Sequence, residues 1–224
     1  MRLALAIISA LAFAAPVTAQ QHVTFPTQDR GVVCADVYGI GNRGIVLAHG
    51  GQFNKESWAK QARTLATAGF RVVAIDFRGY GQSHGPGQSD IYTAPLYLDV
   101  LAAIRYLTAN GARTVSLVGA SMGGWAIGRA TIASPPIRID RLVFLASSPD
   151  IPPEKLTGRK LFIVARDDSN GAGLRLPEIR AYYEKTPGPK ELVVLDGSAH
   201  AQFLFETDQN THLMSVILKF LSEP

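Results

Sequence analysis

Apolar residues fall along this chain in two alternating textures. Short unbroken runs rich in Val, Ile and Leu occupy residues 44–48, 71–77, 114–118, 141–146, 160–165 and 191–195. Such runs, without polar alternation, mark strands buried on both faces. Between them, apolar positions recur at helical spacing, as at Leu96, Val100, Ala103, Ile104 and Leu107. Steps of three and four residues put those side chains on one face of a helix. Helices are predicted at residues 55–68, 96–107, 177–185 and 207–221, with Gly69 and Gly111 following the first two. Glycine suits those positions because it accepts the left-handed backbone at a helix C-terminus. Residues 23–27 and 31–38 read as a leading hairpin. Strands separated by helices imply the α/β class, with a mainly parallel, twisted sheet covered by helices on both faces. In such a sheet, sites gather at the carboxyl ends of the strands.

The first residues break the pattern. Arg2 precedes an almost wholly apolar stretch from Leu3 to Ala15, and Pro16-Val17-Thr18-Ala19 then offers small residues before a cleavage point. This predicts a secretory signal peptide over residues 1–19, a domain over 20–224 and a periplasmic or secreted location. The apolar stretch is shorter than the ~20 residues that span a bilayer, so no stable membrane anchor is expected after cleavage. The 224 residues are 47% hydrophobic and 18% charged, which suits one sizeable core and excludes a disordered chain. The net charge of +4 comes from scattered Lys and Arg, so nucleic acid is not implied as a partner. Cys34 is the single cysteine, so no intramolecular disulfide can form, and its apolar surroundings read as core.

The chemistry concentrates at Gly119-Ala120-Ser121-Met122-Gly123, which follows the run at 114–118 and precedes another apolar stretch. Strand, sharp turn and helix would project the Ser121 hydroxyl from the top of the sheet. A serine needs a neighbouring base to become a strong nucleophile. His200, just past the last predicted strand, is the candidate base, since imidazole exchanges protons near neutral pH. An acid must orient that imidazole. Asp167 and Asp168 both follow the run at 160–165, and Asp168 is preferred. Upstream, His49-Gly50-Gly51 ends the run at 44–48. The backbone N–H of Gly51, with Gln52 as second choice, would join that of Met122 in holding an oxyanion. His49 is expected to brace this loop.

These residues carry a family resemblance. With the His49-Gly50-Gly51 loop, the Ser121 elbow, Asp168 and His200 in that order, the chain resembles the α/β-hydrolase superfamily. Asp76-Phe77-Arg78-Gly79-Tyr80-Gly81-Gln82-Ser83 looks like a further family segment, one that is structural there, so Ser83 receives no catalytic role. The resemblance implies a sheet of about eight strands and a serine hydrolase acting on small-molecule esters. It implies no metal and no cofactor. A peptidase or amidase on the same three residues is the alternative, and a non-catalytic binding module is a more distant one. Many relatives insert a helical cap after the sixth strand. Here only residues 147–159 intervene, stiffened by Pro149, Pro152 and Pro153, so an open, capless cleft is expected. Oligomeric state and acyl group are not legible. Trp58 and Trp125 are expected beside the site, packing or lining it. Gly85-Pro86-Gly87 reads as a turn.

Overall fold

The computed structural model describes residues 20–133 and 139–223. The predicted signal peptide, residues 1–19, lies outside the described residues. Strands β1 (Gln21–Pro26) and β2 (Val32–Tyr38) form the expected leading hairpin. There follow β3 (Arg43–Ala48), α1 (Ala59–Thr67), β4 (Phe70–Ile75), α2 (Tyr97–Ala109), β5 (Thr114–Ala120) and α3 (Met122–Ala133). After these come β6 (Ile139–Leu145), β7 (Arg159–Ala165), a two-rung hairpin β8 (Ser169–Asn170) and β9 (Gly173–Leu174), and α4 (Arg175–Lys185). Strand β10 (Lys190–Leu195) and α5 (Asn210–Ser222) complete the chain.

Eight strands form one sheet in the order β1-β2-β4-β3-β5-β6-β7-β10. Strand β2 runs antiparallel to β1 and β4, and every pairing from β4 onward is parallel. Alternate residues of each central strand enter opposite cores. Val46 and Ile75 face α2 and α3, while Ile45 and Ala74 face α1 and α5. That two-sided burial is why these strands read as continuous apolar runs. Helix α5 buries Leu213, Ile217, Phe220 and Leu221, each worth ~1.5–3 kcal/mol on removal from water. Cys34 is buried. No helix among the described residues is long and apolar enough to cross a membrane.

Two helices begin later than their periodicity predicts. Residues Lys55–Trp58 form a 3-10 turn before α1, since Asp76 holds both the Lys55 N–H (2.8 Å) and its Nζ (2.9 Å). The predicted helix from residue 207 starts at Asn210 because Thr207 is extended and its hydroxyl accepts the Gln209 N–H at 3.3 Å. Such a local side-chain bond competes with helix.

The register sets the site. Ala48 of β3 pairs with Ile75 of β4 on one side and Gly119 of β5 on the other. The His49 loop, Asp76 and the serine turn therefore leave the sheet at one level. Ala165 pairs with Leu195, so the segments carrying Asp168 and His200 also emerge side by side. Between β6 and β7 lies only an irregular loop with a 3-10 turn at Pro153–Lys155, with no helical insertion.

Candidate active site

The turn after β5 is a strained strand-to-helix elbow. Ser121 has a φ of 49°, a left-handed conformation that costs a non-glycine residue ~1–3 kcal/mol. Ala146, just past β6, and Ala201, just past His200, share it with φ of 51° and 54°. Packing enforces the bend. A Cβ on Gly119 would lie 2.5 Å from the Gly123 carbonyl oxygen, and one on Gly123 would lie 2.2 Å from that of Ala48. The Ser147 hydroxyl donates to the Ser121 carbonyl oxygen at 3.0 Å, tying the elbow to the end of β6. Gly124 leaves room for that serine, since a Cβ there would sit 2.3 Å from its Oγ.

From the elbow, Ser121 Oγ lies 2.9 Å from His200 Nε2. His200 Nδ1 lies 2.8 Å from Asp168 Oδ2. The carboxylate accepts at Nδ1, which fixes the proton there and leaves Nε2 to accept from the serine hydroxyl. Asp168 is 1% exposed, whereas Asp167 is exposed and, among the described residues, bonds through its backbone N–H, to the Gly197 carbonyl at 2.9 Å. Of the two aspartates, Asp168 is the one whose carboxylate reaches His200.

The loop after β3 is held by three side chains. His49 is fully buried; its Nε2 accepts the Phe77 N–H at 3.2 Å, so Nδ1 carries the proton and donates to the Gly50 carbonyl at 2.8 Å. Burial pushes the His49 pKa below its ordinary value and keeps this tautomer neutral. Gln202 Oε1 accepts the Gly50 N–H at 2.7 Å while its Nε2 donates to Ser57 Oγ at 2.5 Å. The Tyr80 hydroxyl donates to the Gly51 carbonyl at 2.8 Å. In a trans peptide the oxygen and hydrogen point opposite ways. Anchoring the Gly50 oxygen therefore aims the Gly51 N–H, and anchoring the Gly51 oxygen aims that of Gln52. Neither N–H, nor that of Met122 at the start of α3, donates to a protein acceptor among the described residues.

The Asp76–Ser83 segment proves to be scaffold, as expected. Arg78 is fully buried and grips Asp99 of α2 through Nε and Nη2 (3.0 and 2.6 Å) and Asp29 through Nη1 (2.6 Å). The Arg78 hydrogen bonds hold the Asp29 carboxyl down to about 2. Ser83 Oγ accepts the Cys34 N–H at 2.8 Å, joining the segment to β2. Its interior glycines are needed: Gly81 has a φ of 54°, and a Cβ there would lie 2.4 Å from Asp76 Oδ2.

These elements border a cleft of about 440 Å³. Ser121, Met122, His200, Gly50, Gly51 and Gln52 line it. Phe53 and Phe203, packed edge to face at 4.8 Å, line it with Ile91, Tyr92 and Trp125. Trp125 is thus a lining residue. Trp58 lies instead in the core, 1% exposed and packed on Phe205. Sequence reasoning missed Ile91, Tyr92, Phe203, Asn170 and Arg175, all of which line the cleft. Ile91 and Tyr92 sit on an irregular segment, Asn170 on the β8–β9 hairpin, Phe203 in a 3-10 turn and Arg175 at the first position of α4, places where periodicity carries no signal.

The alpha/beta hydrolase fold family model matches residues 45–171, more than half of the chain, and the chain belongs to that family. The chain is 37% identical over 111 residues to a pimeloyl-[acyl-carrier protein] methyl ester esterase of Pectobacterium atrosepticum, covering 50% of this chain and 39% of that protein. It is 33% identical over 108 residues to a putative non-heme chloroperoxidase of Synechocystis sp., covering 47% and 37%. The matches thus span about two-fifths of those relatives. Among solved structures, an esterase from Exiguobacterium antarcticum superimposes with a TM-score of 0.73 at 16% identity, covering 91% of this chain and all of that one. The Pyrococcus furiosus esterase Pf2001 gives 0.74 at 18% identity, covering 91% and 92%. At such identity these two likenesses speak for the fold.

Proposed function

We propose that this protein is a serine hydrolase that cleaves carboxylic esters through an acyl-enzyme on Ser121. The observation that carries the reading is the unbroken line from Ser121 Oγ to His200 Nε2 (2.9 Å) and from His200 Nδ1 to Asp168 Oδ2 (2.8 Å). The Pectobacterium atrosepticum relative is an esterase by name, which supports the ester as substrate.

Ser121 Oγ attacks the ester carbonyl carbon as His200 Nε2 takes the hydroxyl proton. Asp168 stabilises the resulting imidazolium and keeps the ring oriented. The N–H groups of Gly51 and Met122 hold the tetrahedral oxyanion. The C–O bond to the alcohol then breaks, with His200 returning the proton to the leaving oxygen. Water, deprotonated by His200, attacks the acyl-enzyme, and the acid leaves as Ser121 regains its proton. The scheme uses only protein groups and water. Its site is reached from solvent without a helical cap, so soluble short-chain esters should be turned over without an interface. The apolar leader at residues 3–15 supports export to the periplasm or medium, where this activity would operate.

A serine-directed fluorophosphonate, followed by mass spectrometry, tests the nucleophile. Wild type is expected to carry one adduct on Ser121, and Ser121→Ala none. Equal labelling of the two proteins would overturn the assignment.

A further inference from the structure

Arg175 is the first residue of α4. Its backbone N–H donates to the Asp168 carbonyl at 2.8 Å, closing the base of the β8–β9 hairpin. Its Nε stands 3.4 Å from Asp168 Oδ1. Both atoms are buried, and neither has a hydrogen-bond partner among the described residues. One edge of the guanidinium is thereby moored by the charge of Asp168. The two terminal nitrogens meet no protein acceptor among the described residues, and the side chain, 23% exposed, lines the cleft beside Asn170.

The surroundings say what those nitrogens face. Among the lining residues Arg175 carries the only permanent charge, and no Asp or Glu lines the cleft with it. The rest of the wall is largely apolar, through Phe53, Ile91, Trp125 and Phe203. A neutral alkyl ester would leave the guanidinium without a partner, and a cationic one would be repelled by it. A carboxylate matches it, because the planar fork presents parallel N–H donors to two oxygens. Resting on the ester-hydrolase reading, we infer that the substrates are esters bearing a carboxylate away from the scissile bond, and that Arg175 is the residue that selects them. The apolar wall takes the intervening carbon chain. Asp168 anchors the fork at Nε without covering its outer edge.

The test compares kcat/KM, per ester bond, for monomethyl and dimethyl glutarate. Acetoxyacetate and its methyl ester form a second pair, distinguishing a carboxylate on the alcohol side from one on the acyl side. In wild type at least one anionic member is expected to win by about tenfold or more, the preference shrinking as salt is raised. Arg175→Gln should bring that ratio to about one, and Arg175→Lys should keep part of it. A wild-type ratio near one for both pairs overturns the inference. So does Arg175→Gln lowering all four substrates by one factor, since Arg175 would then serve Asp168 alone. Calorimetric binding of monomethyl glutarate and of acetoxyacetate to Ser121→Ala, with and without Arg175→Gln, separates the two readings. Arg175-dependent binding without turnover in wild type would sink the hydrolase assignment and sustain the anion site. Binding of both anions indifferent to Arg175 would sink the site.

Discussion

Tyr80→Phe distinguishes the two candidate oxyanion donors of the β3 loop. The substitution removes one hydroxyl, with its 2.8 Å bond to the Gly51 carbonyl and its weaker 3.8 Å contact to Met122 Sδ. That carbonyl shares its peptide plane with the N–H of Gln52, whereas the N–H of Gly51 belongs to the preceding plane. The preceding plane keeps its anchors in the variant: His49 Nδ1 and the Phe53 N–H both hold the Gly50 oxygen, at 2.8 and 3.0 Å. With Gly51 as donor, Tyr80→Phe loosens only a neighbouring peptide. A net hydrogen bond is worth about 0.5–1.5 kcal/mol, so kcat should fall by about 2–10-fold. With Gln52 as donor, its orientation is lost directly, and removal of an oxyanion donor costs about 10²–10³ in kcat. The assay is saturating hydrolysis of p-nitrophenyl acetate, with urea unfolding run in parallel to confirm a folded variant. A loss of a hundredfold or more in a folded variant would refute Gly51 and move the donor to Gln52.

The remaining expectations are briefer. Asp168→Asn should lower kcat by about 10⁴, as replacement of a triad aspartate by asparagine does when it imposes the wrong tautomer, while Asp167→Asn should leave it within about twofold; steady-state kinetics on both variants decides. Gly123→Ala forces a Cβ to 2.2 Å from the Ala48 carbonyl oxygen, so a loss of about 1–3 kcal/mol or more should appear in denaturant midpoints. Burial of His49 lowers its folded pKa below the unfolded 6.5. The unfolded chain therefore binds more protons below pH 6.5, and stability should fall as pH drops from there through the folded value. His49→Asn places an amide donor near the Nδ1 position without a titrating group, and should flatten the urea midpoint between pH 7 and 5; an unchanged slope would count against His49 as its source.

What could be read in the chain beforehand follows from how each feature is encoded. The sheet was legible because burial on both faces leaves Val72, Val73, Ala74 and Ile75 no polar partner residue to alternate with. The elbow was legible because close approach at Gly119 and Gly123 admits no Cβ, so geometry there is written directly as glycine. Asp168 and His200 stood out as candidates because each follows a predicted strand, in the order serine, aspartate, histidine. The choice between Asp167 and Asp168 was harder, since adjacent residues on a turn point to different sides and only the fold says which faces His200. Gln202, Tyr80 and Arg175 lay beyond reach for a related reason. Gln202 and Tyr80 act on groups distant in sequence, Gln202 on Gly50 across 152 positions, Arg175 meets Asp168 only through the fold of the β8–β9 hairpin, and none belongs to a repeating pattern. The elements that make the fold are periodic and local, whereas those that aim the loop and charge the cleft are single side chains defined by their partners. Substrate choice should therefore vary through positions such as Arg175 and Tyr92 while the sheet, the elbow and the Arg78 clamp stay fixed. Exchanging the hairpin Ser169–Leu174 together with Arg175 should change which esters are accepted more than it changes the folding midpoint.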